Sequence, residues 1–392
     1  MNAILTPRML RGTVAALPSK SQAHRLLICA ALAAGETVIE CPAAGQDLEA
    51  TVRCLRALGA KIEYNGTQYA VTPIETAENA VLDAGESGAT LRFLLPVVCA
   101  LGAECTFLLR GRLPQRPMEP LCAELRRHGA VIRQEDDRYF VSGKLTSCDY
   151  QLPADVSSQF LSGILLALSV LGGGTLTVIG EVESAAYVEM TLDALRRFGV
   201  QADRSGNQIT VHGTLKSPGH LTVEGDWSNA AFWLCADRLG SAVSVTGLDP
   251  ESLQSDRRIP ELTDAVDCSQ SPDLVPPLAI LAAFTPGRTD FFRAGRLRYK
   301  ESDRIRTCVA MVRALGAEAE EAHDGFTVWG KEELPGGTVD ACGDHRIAMA
   351  AAIAGTRCPV KILNAQAVEK SYAAFWSDYA RLGGCVAWED AT

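Results

Sequence analysis

Lys300-Glu301-Ser302-Asp303-Arg304 sets two cations and two acids within five residues. Ile305, Val309, Val312 and Leu315 follow at helical spacing and mark a buried stripe. Ser302 or Asp303 is the natural N-cap of that helix. Lys300 and Glu301 then sit just ahead of it, where the backbone amides are free and the dipole end is positive. An anion gains roughly 0.3–1 kcal/mol from such an end. Alone, the segment reads equally as a capped surface helix, but the design recurs. Lys20, Ser21 and Arg25 follow Pro18, and Gly85-Glu86-Ser87-Gly88-Ala89-Thr90-Leu91-Arg92 opens another helix, with Gly88 admitting a close ligand. Ser157-Ser158-Gln159 and Asp344-His345-Arg346 open two more, and Arg116 precedes Pro117, the preferred first residue of a helix. Lys20, Arg25, Arg116, Lys300, Arg304, Arg346 and Lys370 can hold multiply charged anions, through bidentate arginines and lysine point charges. Asp273, Glu301 and Asp344 interleave with them. A carboxylate among cations stays ionised and can act as a base; one shielded from water can hold a proton and act as an acid. Asp273 reads equally as an N-cap before Leu274, and His345 as a partly buried structural histidine.

Internal repeats position these heads. Leu55–Ala60, Leu125–Ala130, Leu195–Val200 and Val312–Ala317 share one pattern, and Gly59, Gly129 and Gly199 fall 70 residues apart. Each reads as the glycine that closes an amphipathic helix. Val71, Val141, Val211 and Val328 lie 12 residues after the four glycines, across turn sequences such as Asn65-Gly66 and Ser205-Gly206-Asn207. A helix followed by a hairpin is therefore expected in each repeat. Upstream of each lies a second helix, apolar nearly all round and so buried, with heads at Lys20, Glu86, Ser157, Asp226, Pro272 and Asp344. The amphipathic partners are expected to begin near Asp47, Arg116, Tyr187, Asp256, Asp303 and Lys370. Six units result, the fourth almost without a hairpin and the sixth cut short. Three units per half gives one lobe over 19–225 and another over 1–18 plus 226–392, joined by two crossings that make a hinge with the site in the cleft. A first strand over about 2–17 is expected to complete the C-terminal half.

Composition narrows the function classes. A chain of 392 residues with 47% apolar and 21% charged residues fits about two or three globular domains with a sizeable core. The net charge of −10 argues against nucleic-acid or membrane-surface binding, which needs a basic face, but a local cluster of cations can still hold an anionic substrate. Thirteen scattered cysteines without a C-x-x-C pair point to a reducing compartment rather than a disulfide framework or a zinc site. Met1–Pro7 lacks the features of a signal peptide, and no run of about 18 apolar residues occurs, so a cytoplasmic location is expected. P-loop and nucleophile-elbow motifs are absent.

Pro18-Ser19-Lys20-Ser21…His24-Arg25, Ser87-Gly88…Arg92, Gln115-Arg116-Pro117, Ser157-Ser158-Gln159, Lys300-Glu301-Ser302-Asp303-Arg304, Gly343-Asp344-His345-Arg346 and Lys370 occur in that order along essentially the whole chain. Together they resemble the 5-enolpyruvylshikimate-3-phosphate synthase family of enolpyruvyl transferases. The resemblance implies a two-lobed, inside-out α/β barrel with three βαβαββ units per lobe. It implies attack of the 5-hydroxyl of shikimate 3-phosphate on C2 of phosphoenolpyruvate while C3 is protonated, then loss of phosphate and a C3 proton from a tetrahedral intermediate. No metal or organic cofactor is implied, and a monomer is expected. By resemblance Lys20, Ser21, Arg25, Ser157, Ser158, Gln159, Ser184, Tyr187, Asp273 and Lys300 hold shikimate 3-phosphate. Lys20, Gly88, Arg116, Gln159, Arg304, His345, Arg346 and Lys370 hold phosphoenolpyruvate. Asp273, Glu301, Lys300 and Lys20 form the catalytic set: Asp273 binds and deprotonates the hydroxyl with Lys300 beside it, and Glu301 shuttles the C3 proton. Glu86, Ala89, Phe93 and Arg296 depart from common family residues around the phosphoenolpyruvate pocket and leave sensitivity to glyphosate open. The sister family acting on UDP-N-acetylglucosamine has Lys-Asn where this chain has Lys20-Ser21, and a catalytic cysteine where Leu109–Gln115 has none. A non-catalytic six-repeat scaffold that binds nucleic acid is the reading from another class.

Overall fold

In the computed structural model, which describes residues 1–42, 45–77, 79–146, 148–154, 156–257, 259, 262 and 264–390, the buried helices begin at the polar heads. Lys20–Leu32, Gly88–Leu101 and Ser158–Val170 belong to one compact unit, Pro18–Glu224. Trp227–Arg238, Val275–Ala283 and His345–Ala354 belong to the other, Met1–Leu17 with Gly225–Thr392. The first three are capped by the hydroxyls of Ser19, Ser87 and Ser157, which accept from backbone N–H groups of the first turn. Asp226 and Asp344 cap the fourth and sixth. Each unit has its own hydrophobic core, to which these helices contribute most of their apolar side chains.

The described strands form five four-stranded sheets and one pair, as the six repeats require. In the second repeat Ala80–Gly85 and Cys105–Leu109 run parallel around Gly88–Leu101, and the hairpin Ala130–Glu135/Arg138–Gly143 joins antiparallel. Gly59, Gly129, Gly199 and Gly316 all have positive φ directly after the C-cap of their helices. The strand expected over 2–17 is instead two strands. Pro7 lies between them and has no N–H for a ladder. Asn2–Thr6 pairs with Val360–Leu363 and Cys385–Glu389, so it supplies the strand that the sixth hairpin lacks. Arg11–Ala15 runs parallel to Ala242–Thr246 in the two-stranded fourth repeat. His220–Thr222 runs parallel to Thr37–Glu40 and completes the first.

Three expected helix starts are corrected. Arg116 follows a 3-10 turn, Leu113–Gln115, and the helix begins only at Leu121. Residues before proline avoid the α region, and prolines at 117 and 120 keep this stretch non-helical; Arg116 itself is extended. Lys370 ends a 3-10 segment, Ala365–Lys370, ahead of the helix Phe375–Arg381. Near Asp256 the described residues hold only the 3-10 turn Ser255–Arg257, and residues 258, 260–261 and 263 lie outside the described residues.

Helices Gly88–Leu101 and Ser158–Val170 meet at Gly163. A Cβ there would stand 2.2 Å from the Arg92 carbonyl oxygen and 3.1 Å from Pro96 Cγ, so only glycine allows this approach. Gly163→Ala is expected to cost about 1–3 kcal/mol by overpacking. For a unit of this size that lowers the thermal midpoint by roughly 2–4 °C per kcal/mol. Calorimetry on the variant checks this, and an unchanged midpoint would refute the close approach.

Candidate active site

In the unit Pro18–Glu224 the three serine caps carry no charge, so the positive ends of their helices are not neutralised at the cap. Lys20 is the first residue of its helix, and its Nζ lies 2.8 Å from Asp47 Oδ2 at the head of the partner helix Gln46–Ala57. Arg25, one turn on, is buried and lies over the Phe93 ring. Its guanidinium donates to Thr191 Oγ1 at 2.7 Å, Ser162 Oγ at 3.2 Å and the carbonyls of Ser21 and Tyr187 at 2.6 and 2.8 Å. All four acceptors are uncharged. Burial pulls Arg25 down to about 10, so it remains a cation at neutral pH, and none of these four acceptors carries a charge to offset it. Ser184 starts the helix Ala185–Arg197 with a left-handed φ of 54°, which brings the Tyr187 carbonyl to Arg25.

Gly88 has a specific reason to be glycine: a Cβ would stand 2.7 Å from Arg116 Nη1. The Arg116 guanidinium therefore lies against the helix start. Gln159, in the first turn after Ser157 and Ser158, accepts from Arg92 Nη1 at 2.9 Å, and Arg92 Nη2 donates to the Pro117 carbonyl at 3.2 Å. Arg92 thus ties the heads of two inner helices to the segment that carries Arg116. Behind them, Ser87, Thr90, Thr51 and His24 form a buried hydrogen-bonded chain with steps of 2.7 Å. Burial pushes His24 down to about 3, so this chain is neutral at physiological pH.

In the other unit one arginine organises the charges. Arg304, the first residue of helix Arg304–Ala314, has 1% of its side chain exposed. Its Nε donates to Asp344 Oδ2 at 2.8 Å, Nη1 to Asp273 Oδ1 at 2.8 Å and Nη2 to Glu301 Oε2 at 2.6 Å. Asp273 is held in addition by Arg346 Nη2 at 3.0 Å and Lys300 Nζ at 3.7 Å. Burial opposes ionisation of Asp273, but Arg346, Lys300 and Arg304 outweigh it and keep the carboxyl well below the usual carboxylate range. Burial also opposes ionisation of Asp344, and Arg304 again overrides it. For Arg304 burial disfavours the charge, and Asp344, Glu301 and Asp273 restore it. Ser302 Oγ donates to Asp344 Oδ2 at 2.9 Å, and Asp303 is the residue that caps the helix. Lys370 Nζ donates to the Gly343 carbonyl at 2.9 Å, and buried His345 sits with Nδ1 3.9 Å from Asp344 Oδ1.

The structure thus gathers Asp273, Lys300, Glu301, Arg304 and Arg346 into one ion cluster. It joins Arg25 to Tyr187, and Gly88 to Arg116. Asp273 lies within the 3-10 turn Pro272–Leu274 and turns its carboxylate to the cations, so the alternative of an N-cap does not hold. Sequence reasoning left out several partners. The sequence marks Asp344 as a helix head and a carboxylate among the cations, but not as the third carboxylate on Arg304. The sequence marks Asp47 only as a helix start, and Arg92 as part of a motif and a possible partner of Glu86, not as the link to Gln159 and Pro117. Asp256 is buried, bonds the Ser228 hydroxyl and is pushed up to about 6 by burial and by Asp273. Its signal was its place at the head of the fourth partner element, equivalent to Asp47 in the first. Among the described residues no group of three or more His, Cys, Asp or Glu is arranged to hold a metal ion, and no helix is long and apolar enough to cross a membrane.

Residues 4–264 and 257–379 match the family model described as EPSP synthase (3-phosphoshikimate 1-carboxyvinyltransferase). A 3-phosphoshikimate 1-carboxyvinyltransferase of Clostridium kluyveri is 38% identical over 97% of both chains, and one of Methanopyrus kandleri is 37% identical over 95% of this chain and 96% of that one. EPSP synthase from Acinetobacter baumannii superposes with a TM-score of 0.79 at 25% identity, covering 99% of this chain and all of the other. The enolpyruvyl transferase NikO from Streptomyces tendae shares the fold, with a TM-score of 0.75 at 20% identity over 98% of each chain. Full-length similarity of this kind, together with the site motifs, makes the chain a member of the EPSP synthase (3-phosphoshikimate 1-carboxyvinyltransferase) family.

Proposed function

We propose that this protein transfers the enolpyruvyl group of phosphoenolpyruvate to the 5-hydroxyl of shikimate 3-phosphate and releases phosphate. The observation that carries the reading is the cluster around Arg304, where acid–base carboxylates and anion-binding cations share hydrogen bonds inside a family with this activity. Neither a UDP-N-acetylglucosamine transferase nor a nucleic-acid scaffold is favoured by the family match.

In this reading Lys20, Ser21, Arg25, Ser157, Ser158, Gln159, Ser184 and Tyr187 receive shikimate 3-phosphate, with Asp273 and Lys300 at its hydroxyl. Lys20, Gly88, Arg116, Gln159, Arg304, His345, Arg346 and Lys370 receive phosphoenolpyruvate. The hydroxyl oxygen bonds to C2, its proton passes to Asp273, and Glu301, ionised while Arg304 is on it and able to carry a proton once Arg304 turns to the substrate anion, gives that proton to C3. The bond from C2 to the phosphate oxygen then breaks, the leaving phosphate takes the proton that Asp273 holds, and Glu301 takes a proton back from C3, which returns both carboxyl groups to their starting forms. With Arg346, Lys300 and Arg304 all on it, Asp273 is a weak base. Each of these cations that turns to a substrate anion strengthens that base, so anion binding and proton removal are coupled. Electrostatics and positioning supply the rate, with no metal or organic cofactor. The same reading has the protein act in the cytoplasm as a monomer, in keeping with cysteines that are all free.

Phosphate release from phosphoenolpyruvate is expected to require shikimate 3-phosphate and to persist with a chelator. Release that instead requires UDP-N-acetylglucosamine would overturn the reading. Glu301→Gln is expected to lower kcat by at least about 100-fold with KM within about 3-fold. A raised KM at full kcat would make Glu301 a binding group only. Gly88→Ala displaces Arg116 and is expected to raise KM for phosphoenolpyruvate about 10-fold while kcat changes less. Steady-state kinetics check both.

A further inference from the structure

Lys300 and Glu301 stand on a short stretch of chain between the 3-10 helix Gly295–Tyr299 and the helix Arg304–Ala314. Arg304 anchors the far end of that stretch. At the near end stands Arg298, outside the ion cluster, with 24% of its side chain exposed. Its Nε donates to the His323 carbonyl at 3.0 Å and Nη2 to the Ala322 carbonyl at 2.7 Å. Nη1 donates to Glu321 Oε1 at 2.8 Å and to Asp303 Oδ2 at 2.9 Å. Asp303 is also the cap of the Arg304 helix, through its Oδ1. One planar group therefore grips both ends of the reactive stretch and the turn of the hairpin Glu318–Ala322/Gly325–Gly330. The same turn bonds the start of the 3-10 helix, where the Ala294 N–H donates to the Asp324 carbonyl at 3.1 Å and the Gly295 N–H donates to the Asp324 carboxylate. The bracket is thus built on the hairpin and not on the substrate-facing side chains.

We propose that Arg298 is a positioning residue for the transfer reaction: it holds Asp303 and residues 321–323 at the end of the hairpin in one fork and so fixes where Lys300 and Glu301 present their side chains. The inference rests on the roles given to Lys300 and Glu301 above. Lysine has no planar fork and cannot reach the two carbonyls and two carboxylates at once, so charge alone does not substitute for it. Displacement of an acid–base group by about 1 Å is enough to slow chemistry strongly while binding persists.

The test uses the full chain with Arg298→Met, Arg298→Lys, Glu301→Gln and the double variant Arg298→Met/Glu301→Gln. Both Arg298 variants are expected to lose about 10-fold in kcat with KM for each substrate within about 3-fold, and the double variant to be no slower than Glu301→Gln alone. A merely structural arginine would lower the unfolding midpoint and leave kcat of the folded protein intact, or would add its loss to that of Glu301→Gln; either result overturns the proposal. If Arg298→Met does not fold, Glu321→Gln removes one leg of the bracket, and a kcat within 2-fold of wild type in both it and Arg298→Lys overturns the proposal. If Glu301→Gln keeps full kcat, the role of Glu301 fails and this inference falls with it. If Glu301→Gln is slow and the Arg298 variants are not, only the inference fails.

Discussion

A guanidinium with 1% of its side chain exposed has to be neutralised where it lies, and Arg304 meets that demand with three carboxylates. Asp273 comes from the turn ahead of the fifth buried helix, Asp344 from the cap of the sixth, and Glu301 from the stretch just before Arg304 itself. Losing one partner of a buried ion pair typically costs about 3–5 kcal/mol, because a charge is left without compensation. The elements that carry the acids are therefore held to one another by the same bonds that set their ionisation. Structure and reactivity cannot be separated at this point in the fold.

The two units repeat one architecture and differ in the chemistry of their caps. Neutral serines head the three buried helices of Pro18–Glu224, and buried Arg25 is satisfied by uncharged oxygens. The cap residues of that unit leave the positive helix ends without a negative charge at the cap, which suits a phosphorylated ligand. In the other unit aspartates take the cap positions at 226 and 344, and Asp344 meets Arg304, a cation that three carboxylates compensate.

Much of this was legible in the chain. The heads at Lys20, Ser157, Asp226 and Asp344 carry residues that cap helices, and the glycines at 59, 129, 199 and 316 need the positive φ that they show. Turn sequences such as Asn65-Gly66 are local as well, and the hairpins form around them. The expected helix start at Arg116 failed because a proline can open a helix or keep one from forming, and the neighbouring Pro120 decides which.

By itself the sequence determined the six repeats, their helix heads and the type of charge at each head, because capping, periodicity and turn chemistry act over a few residues. Only the tertiary structure decided which charges meet. Arg304 and Asp344 are 40 residues apart in the chain, Arg25 and Thr191 are 166 apart, and the strand Arg11–Ala15 pairs with residues 231 further on. Such contacts depend on how buried helices pack and which strands align, through close approaches like that at Gly163, and no local pattern encodes them.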